Sequence, residues 1–329
     1  MTRVQPDSGL LEYVYEPVLH RLQRAMDMVS ELGSQEPAIL SELLEHVLDS
    51  TGKLIRPSIV LLASNFHSND VDGAETMAAA VELLHIATLI HDDTVDGSDV
   101  RRGKPTVSSA WGTQRAVLLG DYVFASSATL VCDTGNLRVI RRFAETAVEL
   151  SSGEFREIDS AYSQDLAMDR YLDRIYRKTA SLFSIAAESG AILAGSLEPL
   201  SMSLKDYGFN LGMAFQIVDD VLDFDATLEE VGKPVGNDLS HGILTLPAIL
   251  AIERYPEDNP VLALCEDPSD HKNLERAIDM VQNSSLLDES LAVARQYSLK
   301  AINSLGDIEK NRSRESLEAL AEYVLNRRG

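Results

Sequence analysis

Positive charge is what this 329-residue sequence is short of: 29 Lys and Arg stand against 52 Asp and Glu, for a formal net charge of −23. Such a chain is a poor general partner for nucleic acid or an anionic membrane, so any phosphate it binds must be held locally, by metal or by a few placed cations. Cysteine is scarce too. Cys132 and Cys265 lie far apart, match no metal-ligand spacing and form no disulfide framework, which suits a reducing cytoplasm. Long hydrophobic runs are missing as well. The greasiest stretch, Met77 to Ile90, is interrupted by Glu82 and His85 and falls short of the roughly 20 apolar residues a membrane span needs. "MTRVQPDSGLLEY" at the N-terminus has no apolar core of signal-peptide length. Alternating strand patterns are rare, which argues against a β architecture.

What remains is helix. Apolar residues at 45% and charged residues at 25% are ordinary for a soluble globular protein. Three-to-four spacing runs through Leu10–Leu32, Ala38–Asp49, Gly73–Asp96, Arg115–Cys132, Asn136–Ala161, Met168–Leu193, Leu204–Asp225, Leu244–Arg254, Lys272–Gln282 and Leu287–Asn326. Breakers such as "GSQEP", "HSNDVDG", "GSLEP" and "GKPVGND" separate these runs, and no low-complexity linker divides the chain. The pattern predicts a single all-α domain over residues 1–329, a bundle of about ten or more helices. Two central helices are apolar nearly all round, as a helix buried inside a bundle is.

Those two helices end alike. "LLHIATLIHDDTVDG" finishes in Asp92, Asp93 and Asp96, and "GMAFQIVDDVLDFD" in Asp219, Asp220 and Asp223. Positions four apart share a helix face, so Asp92 pairs with Asp96 and Asp219 with Asp223. Acidic helix ends facing solvent are the plain alternative. Against it, carboxylates at a helix C-terminus oppose the macrodipole at a cost of about 0.3–1 kcal/mol each, and like charges this close repel. One such arrangement can be chance; two in the same context read as carboxylate sites for Mg²⁺, two or three ions around a diphosphate.

Cations stand near both clusters. "TGKLIRP" carries Lys53 and Arg56, "RRGKP" carries Arg101 and Arg102, "RIYRKTASLF" carries Lys178 with Thr179 beside it, and Lys233 follows the second cluster. Singly each reads as a solvated surface residue; together they suggest two anion sites, one with metal and one without. His85 lies two turns before Asp92 and Gln216 one turn before Asp219, so both are expected to face the same cavity.

From about Lys53 to Ile252 the sequence resembles a trans-isoprenyl (polyprenyl) diphosphate synthase. The likeness rests on "GKLIRP", "ELLHIATLIHDDTVDGSDVRRGKPT", "LLGDYVFA", "YRKTASLF", "GMAFQIVDDVLDF" and "GKPVGNDLSHGILTLP", in that order. The resemblance implies an isoprenoid-synthase fold in which Asp92, Asp93, Asp96, Asp219, Asp220 and Asp223 hold the Mg²⁺ ions on an allylic diphosphate. It implies Arg101, Lys178, Gln216 and Lys233 as contacts to that substrate, and Lys53, Arg56, His85 and Arg102 as ligands of isopentenyl diphosphate. Thr179 is expected where the family's helix bends. The two arginines thus serve two diphosphates and need not pair with aspartates. The resemblance also implies a cytoplasmic homodimer and a product able to partition into membrane.

Two positions depart from the short-chain pattern. Thr51 stands where a glycine is common, and Ile243 in "GILTLP" replaces a lysine, which removes one possible diphosphate contact. Thr88 and Ala87, four and five residues before Asp92, are small. They either let a growing tail pass or make a tight helix contact; Phe124 or Tyr122 are other candidates for a pocket floor. The expected product is C20 or longer, of the class that feeds quinone side chains. The alternatives are a farnesyl or geranylgeranyl synthase and a non-catalytic subunit of a heteromeric synthase. A terpene cyclase fits less well, because it has no use for an isopentenyl site, and a head-to-head synthase lacks the "RRGKPT" context.

Overall fold

Helix dominates the residues that this computed structural model describes, namely 9–33, 36–49, 52–67, 73–163, 168–225 and 235–327. The expected all-α class is what forms. Most helix limits fall within a few residues of the periodicity: Ala74–Val95, Thr113–Asp133, Leu137–Asp159 and Glu198–Leu222 are the long ones.

Local chemistry explains where the runs divide. Leu10–Leu32 splits into Gly9–Tyr15 and Leu19–Ser30 around a 3-10 turn, Glu16–Val18, that contains Pro17. Leu287–Asn326 is two helices, Leu286–Ser304 and Arg312–Asn326; Asn311 caps the second, its Oδ1 accepting the Arg314 N–H at 2.9 Å. Met168–Leu193 is interrupted by a single π turn, Tyr176–Ala180, which carries Lys178 and Thr179. Such turns gather at functional positions. Gly153 packs against it so closely that a Cβ there would lie 2.9 Å from the Lys178 nitrogen.

Short helices also appear at Ile55–Ser64, Val107–Trp111, Asn237–Ser240 and Pro260–Glu266. Among the described residues the one sheet is a hairpin, with Val100 paired to Pro105 and Arg101 to Lys104. Its two loop residues, Arg102 and Gly103, take φ of 49° and 75°, as a type I′ turn needs.

The chain forms two compact units. The first comprises Met1–Glu145, Leu182–Gly208 and Ser304–Leu320; the second comprises Thr146–Ser181, Phe209–Asn303 and Ala321–Gly329. In the first, the Ala74–Val95 helix buries Met77 to Leu84 without a break, Glu82 included. The core of the second gathers Ile217, Phe224, Leu246, Ile249, Val261, Val281 and Leu286.

Candidate active site

The Ala74–Val95 helix delivers the first group of site residues. Glu82, His85, Ile86, Leu89, Ile90 and Asp93 fall at three- and four-residue steps and line one side of a cleft. Arg101, Arg102, Lys104, Thr106, His46 and Gly52 also line it. His85 is therefore where its spacing places it. The aspartate that shares its cleft is Asp93, however, and not Asp92, because His85 sits at one edge of the lining face: at 3.6 residues per turn Asp93 falls near the middle of that face and Asp92 just beyond its edge. Asp93 is buried, Asp92 half-buried and Asp96 exposed.

Arg101, expected as a substrate contact with no need of an aspartate, is paired with one. Its Nε donates to both Asp93 oxygens, at 2.7 and 2.8 Å. A carboxylate that is 8% exposed needs a counter-charge, and the hairpin supplies it from eight residues away. Arg102 turns elsewhere. Its guanidinium lies against Gly52, where an added Cβ would come within 2.8 Å of Nη2. Lys53 follows Gly52, and its carbonyl accepts a hydrogen bond from the Tyr15 hydroxyl. Arg56, on the Ile55–Ser64 helix, stacks over the Phe183 ring at 4.5 Å from its centroid.

These charges set the state of His85. Burial first, then the positive charges of Arg56, Arg102 and Arg101, hold its pKa well below the ordinary imidazole range. It is a neutral ring at pH 7, with one N–H to donate. Glu82, which the sequence shows only as an interruption in a greasy run, is 4% exposed, and burial raises its pKa.

The second unit carries the second group. Thr179 Oγ1 donates to Gln216 Oε1 at 2.6 Å, Gln216 Nε2 donates to Asp220 Oδ1 at 2.9 Å, and the Tyr171 hydroxyl donates to Asp220 Oδ2 at 2.6 Å. This chain fixes the Gln216 amide and leaves Asp220 2% exposed, its pKa pushed up to about 7, chiefly by burial. Asp219 pairs with Arg327 at 2.6 Å, and Arg327 itself stacks on Phe215. Asp223 accepts the Asp238 N–H at 3.2 Å. Lys178, from the π turn, is ion-paired to Glu157 and, at 3.2 Å, to Glu154. Tyr171, Arg327, Glu154 and Glu157 carry no motif of their own; sequence separation hides them. Lys233 lies outside the described residues.

Among the described residues, no three His, Cys, Asp or Glu side chains are gathered as a metal cage. The donor chemistry nonetheless fits Mg²⁺, which takes hard carboxylate oxygens, keeps several waters and fills its shell with substrate phosphate oxygens. As for a pocket floor, Ala87 is buried in the helix. Phe124 is 40% exposed, and the Tyr122 hydroxyl donates to Glu36 at 3.2 Å.

The polyprenyl synthetase family model matches residues 37–281. The chain is 37% identical, over 290 residues covering 88% of it and 83% of the relative, to heptaprenyl diphosphate synthase component 2 of Bacillus subtilis. It is 33% identical over 326 residues (97% of the chain, 79% of the relative) to a chloroplastic solanesyl-diphosphate synthase of Oryza sativa. A crystal structure of polyprenyl synthase from Caulobacter crescentus, complexed with calcium and isoprenyl diphosphate, superposes with a TM-score of 0.92 at 34% identity, covering 99% of this chain and 100% of that one.

Proposed function

Because this chain belongs to the polyprenyl synthetase family, we propose that it is a Mg²⁺-dependent prenyltransferase joining isopentenyl diphosphate, head to tail and in trans geometry, to an allylic diphosphate. The observation that carries the reading is the cleft of the first unit, where a buried carboxylate, two arginines and a neutral imidazole end an apolar helix wall. The Caulobacter relative, which holds a divalent cation and an isoprenyl diphosphate, supports it.

Bound Mg²⁺, held by Asp92, Asp93, Asp96, Asp219, Asp220 and Asp223, would neutralise charge growing on the departing diphosphate. The chain's own groups do the rest. Arg102, Lys53 and Arg56 bind the diphosphate of isopentenyl diphosphate, and neutral His85 donates one hydrogen bond to it. Arg101, Lys178, Gln216 and Lys233 contact the allylic diphosphate, and Thr179 holds the Gln216 amide in register. Ile86, Leu89 and Ile90 keep water from the hydrocarbon. Ionisation of the allylic C–O bond leaves a cation, the isopentenyl double bond attacks it, and the new C–C bond is completed by loss of a proton to the released diphosphate. We read residues 1–329 as a single polyprenyl synthase domain of a cytoplasmic enzyme.

A product of C20 or longer follows from small residues at Ala87 and Thr88, and relatives named for heptaprenyl and solanesyl products support it. Incubation with labelled isopentenyl diphosphate and farnesyl diphosphate tests the reading: extension to C20 or beyond is expected, and a chain that never passes C15 overturns it.

The Thr113–Asp133 helix is apolar enough to cross a membrane, yet 33% of that window is buried. Val117, Leu118 and Phe124 stand exposed along it. We read this stripe as the contact with a second copy. The word "component" in the Bacillus relative's name favours, as the second reading, a different partner subunit; the mass of the purified chain in solution separates the two.

Gly52→Ala is expected to raise KM for isopentenyl diphosphate about tenfold, some 1.4 kcal/mol, by pushing the Arg102 guanidinium aside. The atoms displaced are the far end of a flexible side chain, so the melting temperature should not change. Steady-state kinetics with each substrate varied in turn, together with a thermal melt, checks both.

A further inference from the structure

Glu82 is a buried charge with no part in the mechanism above. Glu82 sits in the middle of the Ala74–Val95 helix, one turn before His85, and both line the same cleft as Arg102. It is 4% exposed. Among the described residues it makes no hydrogen bond or ion pair; its charge is met at longer range by Arg56 first and Arg102 second. A carboxylate in this place is costly to bury, and its sign opposes an incoming diphosphate. The two arginines come from separate segments, Arg56 stacked on Phe183 and Arg102 set against Gly52 in the cleft wall, and both bring positive charge to Glu82 and to its cleft neighbour His85.

We propose that Glu82 is a positioning residue: its carboxylate screens the repulsion between Arg56 and Arg102 and keeps both guanidiniums turned to a single diphosphate. The inference rests on the functional reading above, in which these arginines receive isopentenyl diphosphate.

Glu82→Gln keeps the shape and removes the charge. KM for isopentenyl diphosphate should rise about tenfold, while kcat and KM for the allylic diphosphate stay within about twofold. The melting temperature should hold or rise, because a buried charge has gone. Glu82→Asp restores the charge and should recover most of the loss. Titration calorimetry of isopentenyl diphosphate into the full chain provides a measure that needs no turnover, with the same tenfold weakening expected in Kd. An unchanged or lower Kd in Glu82→Gln overturns the proposal, as does a melting temperature that falls together with affinity for both substrates. Failure of the wild-type chain to condense its substrates is a different result, and it counts against the functional reading alone.

Discussion

Asp220→Asn is expected to stabilise the protein in EDTA while lowering the condensation rate by about 10³-fold. Asp220 is 2% exposed, and burial pushes its pKa up to about 7, against the hydrogen bonds from Tyr171 and Gln216 and the charge of Arg174. The sign follows from proton linkage. Between the ordinary carboxylate value, 3.8, and about 7, the folded chain holds a proton here that the unfolded chain has lost, so stability falls as pH rises through that window. Above it the full cost of a buried charge is present; below it the cost is gone. An asparagine makes the same two contacts, its Oδ1 accepting from Gln216 and its amide donating to the Tyr171 oxygen, and carries no charge. The gain should be about 1–3 kcal/mol above pH 7 and vanish toward pH 4. Paired melts of variant and wild type across that range, with turnover assays at pH 7.5, check both halves. A variant that is less stable at pH 8 would contradict the role given to burial.

Asp93→Asn should be just as inactive, with a loss of about 10³-fold, and move stability the other way. Here the carboxylate is already answered by Arg101, through bonds to both of its oxygens. Neutralising it removes the counter-charge of Arg101 and leaves its Nε–H one carbonyl oxygen in place of two carboxylate oxygens, beside an NH₂ that cannot accept, at a cost of about 1–2 kcal/mol. The contrast separates two kinds of buried acid: one paired with a cation, one held only by neutral donors. The same pair of assays reads it. An Asp93→Asn protein that melts at or above the wild-type temperature would show that the Arg101 pair contributes nothing to the fold.

The sequence exposed the charge-bearing helix ends well, because an apolar helix that stops in DDxxD is a local pattern. The Ala74–Val95 helix came within a residue of its expected limits. His85 reached the cleft by simple periodicity, although Asp93 and not Asp92 joined it there. Breaks were harder to see. Pro17 gives a local reason for the first, but the π turn at Tyr176–Ala180 leaves no trace in three-to-four spacing. Partners were hardest. Asp219 is held by Arg327 and Asp220 by Tyr171, each far away in sequence, and no spacing rule reports such a contact. Glu82 lay in plain view as a charge inside an apolar run; its meaning depends on Arg56 and Arg102, which arrive from other segments. Arg101 was expected to contact substrate, and its bond to Asp93 follows from burial, which residue types alone do not give.

The most direct test of the central claim is diphosphate release by the purified chain alone, supplied with isopentenyl and farnesyl diphosphates, with and without Mg²⁺. The account predicts one diphosphate released per isopentenyl unit incorporated, only when Mg²⁺ is present. Release without incorporation, or no reaction until a second protein is added, would contradict it.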